Sequence, residues 1–209
     1  MRTKDPLKAE QIRAQALEML AREGFHGFSM QKLARAASVS PATLYIHFED
    51  REDLLLQLYK EQMAAFVAVV LEGFDPQAPF AEGLAVQWRN RIRFCREQPR
   101  AWAFLSQVMH SPYQKAFSGQ IESTLHDAMR DFIRHAMTRG DLCNLGAQGP
   151  AGDFPVEIFW ALAFAPLYEL LRIEAEAYGP GAARRKRPFV LDAKRLDLTF
   201  TRVLRSLQP

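Results

Sequence analysis

Between Ser29 and Arg51 the chain gathers hydroxyl, phenol, imidazole and guanidinium groups at spacings that suit hydrogen bonds to phosphates and base edges. The nine residues Ser40-Pro41-Ala42-Thr43-Leu44-Tyr45-Ile46-His47-Phe48 stand out. Pro41, Leu44, Tyr45 and Phe48 follow i, i+3, i+4, i+7 spacing, which predicts an inward stripe and leaves Ala42, Thr43, Ile46 and His47 facing out. A helix entering the DNA major groove needs short side chains near its N-terminus so that its backbone can approach the bases. Thr43 offers a hydroxyl and a methyl, and Ala42 a methyl, for base edges; the competing reading makes them plain neighbours in a short helix. Ser29, at a helix N-terminus, and Arg51, in the first turn of another, are placed to hold phosphate through helix-end N–H groups and through charge.

Bond-breaking chemistry finds no comparable support. The chain has no His-Glu-x-x-His, no Glu-x-x-His pairs in a di-iron arrangement, no Gly-rich phosphate loop and no nucleophile elbow. An enzyme is therefore not expected, and neither a metal nor a cofactor is called for. Cys95 and Cys143 are far apart without metal-ligand spacing, so free thiols are the plain reading.

The elements that must position these groups are helices. Ile12, Ala16, Leu17 and Leu20 predict a first helix over Lys8 to Glu23, stopped at Gly24. Ser29 caps a second helix with inner positions Met30, Leu33, Ala34 and Ala37. A Ser38-Val39 turn follows, and Ser40 caps a third helix in which Pro41 occupies the first turn without needing a backbone donor. Asp50 and Asp53 have capping-box spacing for a fourth helix running to about Phe74. Together these segments form a helix-turn-helix pattern.

Beyond Pro76 and Pro79 helices continue over about Phe80 to Glu97, Pro99 to His110, Tyr113 to Arg139, Asp153 to Tyr178 and Asp192 to Leu207. No strand alternation persists, so the expected fold is all-α. It comprises a three-helix DNA-binding domain over 1–50, joined by a long helix to a larger helical effector-binding and dimerisation domain over 51–209. Pro166 should kink the apolar run from Ile158 to Tyr168. Two segments rich in Gly, Pro or charge, Gly140 to Gly152 and Gly179 to Pro188, read as loops. The second includes the basic run Arg184-Arg185-Lys186-Arg187, read as solvated.

Length and charge fit this division. With 209 residues and 48% apolar content the chain can bury a substantial core. Its net charge of +3 is small, but residues 1–48 hold seven Lys/Arg against four Asp/Glu, whereas residues 49–75 hold two against seven. The run from Ile158 to Tyr168 is well short of the roughly 20 residues that span a bilayer, and the N-terminus shows no apolar signal core. A cytoplasmic protein without a membrane partner is expected.

The segment from about Ile12 to Leu58 resembles the TetR family of bacterial transcriptional regulators. The likeness lies in Phe28-Ser29-Met30, Leu33-Ala34, Ala37-Ser38-Val39-Ser40, Thr43-Leu44-Tyr45-Ile46-His47-Phe48 and Arg51-Glu52-Asp53-Leu54. Ser38 stands where the family often has Gly, and Arg51 where it often has Lys. The resemblance implies a homodimer, a double-stranded DNA operator and release when a small-molecule effector binds a divergent C-terminal domain. It also implies that Tyr45 and His47 contact phosphate, alongside Ser29, Ser40, Pro41, Ala42, Thr43, Ile46 and Arg51 on the DNA side.

A repressor released from a palindromic operator is the expected function. An activator or co-regulator on the same fold, or a helical protein-binding module, is the alternative. Candidates for a largely apolar effector pocket are Trp88, Arg89, Trp102, Gln107, His110, Tyr113, Phe117, Phe164 and Tyr168, with Arg89, Gln107, His110 and Tyr168 as polar anchors. The last two helices present Phe159, Leu196, Phe200, Val203, Leu204 and Leu207 as a candidate dimer interface, against the alternative that both helices are simply core.

Overall fold

The computed structural model describes residues 5–118, 124–143, 156–178 and 190–209, and among them every regular element is a helix. Capping groups set many of the boundaries. The first helix, α1 (Pro6–Gly27), begins where Asp5 accepts from the Leu7 and Lys8 N–H groups. Its regular part stops at Gly24, whose φ of 68° and ψ of −177° break it as expected, and a short turn carries on to Gly27.

Next come α2 (Met30–Ala36), α3 (Pro41–His47) and α4 (Arg51–Val70). Asp50 accepts from the Asp53 N–H at 2.8 Å while Asp53 reaches back to the Glu49 N–H at 2.9 Å, close to the predicted capping box. The fourth helix is shorter than the pattern to Phe74 suggests. Buried Gln87 and Asn90 donate to the Val70 carbonyl at 2.8 and 3.2 Å, and Asn90 also to the Glu72 carbonyl at 2.8 Å. These side chains satisfy carbonyls that another helical turn would have taken, and Gly73 completes the turn with φ of 65°.

The chain continues as α5 (Phe80–Glu97), α6 (Pro99–Met109), α7 (Tyr113–Ser118), α8 (Thr124–Arg139), α9 (Val156–Ala163), α10 (Ala165–Tyr178) and α11 (Ala193–Leu207). Pro166 divides the apolar run as predicted, with the break at Phe164, two residues ahead of the proline. The predicted helix start at Asp153, the Arg184 to Arg187 run and most of both predicted loops lie outside the described residues.

The chain forms two compact units. The first comprises Met1–Ala68 and Phe94–Glu122. Its core includes Ile12, Ala16, Leu20, Leu33, Leu44, Phe48, Leu54, Leu55 and Leu58, all buried. Helix α6 packs along α1: Arg100 pairs with Glu18, Gln107 donates to the Leu20 carbonyl at 3.0 Å, and the Phe25 ring stands edge-on to Phe104. The second unit comprises Val69–Arg93 and Ser123–Pro209. Its aromatic core joins Phe74, Phe80, Phe132, Phe159 and Phe164 through ring centroids 5.2–6.3 Å apart. Gly83 is buried against Phe132, close enough that no β-carbon fits without displacing the ring.

Candidate nucleic-acid interface

Two helix ends and one turn build the candidate interface in the first unit. At the start of α2 the Ser29 hydroxyl accepts from the Lys32 N–H at 3.2 Å. The end of α2 is a Schellman motif: the Ser38 N–H bonds the Arg35 carbonyl at 3.1 Å and the Val39 N–H the Ala34 carbonyl at 2.9 Å. Ser38 occupies the left-handed position with φ of 53°, and it is the one non-glycine residue with positive φ among the described residues. Two residues on, the Ser40 hydroxyl accepts from the Thr43 N–H at 3.1 Å and lies 2.8 Å from the Thr43 hydroxyl. The turn thus delivers α3 with its N-terminal end open: Ser40, Pro41 and Ala42 are exposed and Thr43 is half-buried.

The faces of α3 differ from the predicted division at three residues, the first being Pro41, predicted inward but exposed. Tyr45, predicted inward, is 55% exposed, and His47, predicted outward, is buried to 9%. Leu44, His47 and Phe48 form the inner face, leaving Pro41, Ala42 and Tyr45 outside and Ile46 half-buried. In a helix of two turns, 44-45-48 and 44-47-48 are nearly equivalent patterns. Phe48 has already left the helix with φ of −128° and ψ of 133°, so its burial cannot be counted on helical spacing. Neighbouring elements select the rotation that puts the phenol in solvent.

Arg51 is a second departure. Its Nη2 donates to the Phe25 carbonyl at 2.9 Å, its guanidinium carbon lies 5.8 Å from the Phe28 ring centroid, and its Nε is buried without an acceptor. This hydrogen bond is an internal tie between the start of α4 and the turn after Gly24. Lys32 is also tied back, to the Gly27 carbonyl at 2.8 Å and to Glu23 at 3.5 Å. A hydrogen bond from Arg22, aided by Lys32, holds the Glu23 carboxyl below its ordinary range. Arg35 stays exposed. Arg2 and Lys4 lie outside the described residues.

The pocket candidates fall in both units. In the first, Trp102 and Phe117 are buried, and Tyr113 stacks on Phe117 and touches Phe25, each at 5.2 Å. Gln107 donates its amide N–H to the Leu20 carbonyl at 3.0 Å, and His110 is exposed with Nδ1 2.8 Å from the Ser106 carbonyl. In the second unit, Trp88, exposed Arg89 and Phe200 line an open groove of about 240 Å³ with Ile92 and Leu196. Phe164 is buried and Tyr168 half-buried.

Three dimer-interface candidates are corrected. Phe159, Val203 and Leu207 are buried within the chain itself, whereas Leu196, Phe200 and Leu204 are half-buried. Apolar spacing cannot distinguish an intramolecular neighbour from an intermolecular one. The exposed large apolar side chains of these helices are instead Ile158, Leu162 and Leu198.

Arg91, which residue spacing does not single out, has no exposed surface at all. Its guanidinium carbon lies 4.8 Å from the Trp160 ring centroid and 3.8 Å from that of Phe164, and its Nη1 donates to the Gln87 side-chain oxygen. The available signal was its i, i+3 relation to Trp88, whose indole N–H donates at 3.0 Å to the Ala163 carbonyl at the same helix break.

Residues 12–58 match the model of the bacterial regulatory proteins of the tetR family. The chain is 32% identical over 137 residues to an uncharacterized HTH-type transcriptional regulator of Haemophilus influenzae, covering 66% of this chain and 72% of that protein. It is 36% identical over 86 residues to the fatty acid metabolism regulator protein of Bacillus subtilis, covering 41% and 44% respectively. A crystal structure of a TetR-family transcriptional regulator from Haemophilus influenzae superposes with a TM-score of 0.71 at 26% identity, covering 100% of both chains.

Proposed function

The chain belongs to the TetR family of bacterial transcriptional regulators, a helix-turn-helix DNA-binding family, and on that premise we propose that it is a homodimeric repressor released from a palindromic operator by a small-molecule effector. The observation that carries the DNA side is the outer face of α3, where Ser40, Pro41, Ala42 and Tyr45 are exposed together beyond the Ser38 turn. Thr43 and Ile46 flank them and reach base edges, Tyr45 and Ser29 take phosphates, and His47 and Arg51 hold the helices in place from within.

Residues 1–50 serve DNA, and 51–209 serve the effector and the second subunit. Ile158, Leu162 and Leu198 supply the apolar surface for the dimer. The dimer sets two recognition helices about 34 Å apart, one DNA turn, and an effector that changes this spacing by a few ångströms prevents both from docking together. Coupling is reciprocal, so operator DNA weakens effector binding by the factor with which effector weakens DNA binding. No helix among the described residues is long and apolar enough to cross a membrane, and the bacterial cytoplasm is the proposed location.

Selection of genomic fragments by the purified protein, followed by titration of the best fragment at several salt concentrations, tests this reading. A palindromic site bound by dimers, with affinity falling steeply in salt and lost in Tyr45→Ala, is expected. Weak binding without sequence preference would overturn it.

A further inference from the structure

The open groove of the second unit has an aromatic floor and two charges of opposite sign. Trp88, Arg89 and Ile92 of α5 line it on one side, and Leu196, Asp197 and Phe200 of α11 on the other. Trp88 is buried, and the Phe200 ring stands edge-on to it with centroids 5.3 Å apart. The Trp88 indole N–H is already satisfied by the Ala163 carbonyl at 3.0 Å, so the floor offers apolar surface and no spare donor.

Other charges on the same two helices have partners: Arg93 pairs with Glu72, and Arg195 with Asp192 at 3.3 Å. Arg89 and Asp197 are exposed and line one groove, yet among the described residues they bond neither to each other nor to any other group. A molecule of single charge would be attracted by one of them and repelled by the other, and the two effects would offset. A molecule that carries both charges gains at each. Size limits the choice further, because about 240 Å³ lies below the roughly 300 Å³ at which pockets for drug-sized ligands begin.

We propose that this groove receives the effector and that the effector is an α-amino acid with an apolar side chain. Its carboxylate accepts from the Arg89 guanidinium, its ammonium donates to the Asp197 carboxylate, and its side chain lies on Trp88 and Phe200. Held between α5 and α11, such a ligand ties together two helices that the Trp88–Phe200 contact already joins. The inference rests on the ligand-responsive reading above, and it commits that reading to a zwitterionic ligand class and to one groove.

The test is calorimetric titration of the full chain with L-phenylalanine and L-leucine. Two analogues, 3-phenylpropionate and 2-phenylethylamine, keep the phenyl body and lack the ammonium or the carboxylate. At least one amino acid is expected to bind, and L-phenylalanine to bind about threefold or more tightly than either analogue. Both rim residues are exposed, so their substitution leaves the core intact. Arg89→Gln should weaken the amino acid about threefold or more and strengthen the amine, whereas Asp197→Asn should weaken the amino acid and strengthen 3-phenylpropionate. A general loss of structure would not produce these opposite signs. Equal binding of L-phenylalanine and its analogues, wild-type amino-acid affinity in both variants, or binding of neither amino acid overturns the proposal. Operator titration with and without the amino acid separates the two readings. An operator bound by a chain without amino-acid selectivity refutes only the groove, and selective amino-acid binding without any operator refutes only the repressor. Both present, with operator affinity unchanged by the amino acid, would overturn the assignment of the groove to the effector.

Discussion

Arg51 Nη2 donates to the Phe25 carbonyl across 26 residues of sequence, joining the first turn of α4 to the segment that follows the Gly24 break in α1. The side chain also lies against Phe28, so one guanidinium closes the corner from which α2 departs. The residue that charge and position alone would assign to a phosphate also makes this internal tie.

Substituting Arg51 separates these roles. Arg51→Ala leaves a partly buried carbonyl without its donor and should cost about 1–2 kcal/mol in urea unfolding. Arg51→Lys keeps the charge but not the planar fork, and should recover less than half of that loss. Full recovery of operator affinity by lysine, with stability still reduced, would show a phosphate contact instead.

Ser38 pays for its left-handed backbone because its β-carbon crowds the following carbonyl. Ser38→Gly relieves that crowding and adds freedom to the unfolded chain, so the net gain should be about 0.5–1 kcal/mol. Thermal unfolding of the two proteins measures it, and a loss of stability would mean that the serine side chain contributes more than the strain removes.

Tyr45 and His47 should respond in opposite ways. Tyr45→Ala removes an exposed ring and should change stability by less than about 0.5 kcal/mol while lowering operator affinity tenfold or more. His47→Ala empties a buried position beside Phe48 and should cost about 1 kcal/mol of stability. Chemical unfolding and DNA titration, run on both variants, distinguish the pair.

Gly83→Ala tests the packing of the second unit. The new β-carbon would lie 2.4 Å from Phe132 Cε2 and 2.8 Å from Cζ, and that ring is buried and stacked on Phe80 at 5.5 Å. A loss of about 1–3 kcal/mol is expected from displacing it. Calorimetry showing an unchanged melting temperature would mean that the Phe80–Phe132 stack yields easily.

Tyr59 sets an alkaline limit. Burial raises its phenol pKa above the ordinary value near 10.0, so above that pH the folded chain retains a proton that the unfolded chain has lost. The folded state then binds more protons, and its stability must fall as pH rises past about 10, with no contribution from this group below. Urea midpoints from pH 8 to 11 should decline less steeply in Tyr59→Phe than in the wild type.

Features made by hydrogen bonds between near neighbours could be read from residue types: the caps at Ser29, Ser40 and Asp50, the break at Gly24, the division at Pro166 and the Ser38 turn. The chemistry of each lies within a few residues of its cause, so residue type and spacing suffice. The all-α fold and the DNA-binding segment followed from them.

The rotation of α3, the inward turn of Arg51, the burial of Arg91 and the loss of Phe159, Val203 and Leu207 to the core could not be read that way. Each depends on a partner distant in the chain: a carbonyl at Phe25 for Arg51, the rings of Trp160 and Phe164 for Arg91, the Phe80 ring for Phe159. Periodicity states which side chains must leave water, but the neighbours that receive them are chosen only when the helices pack, because burial energy is non-directional and several pairings satisfy one stripe equally well.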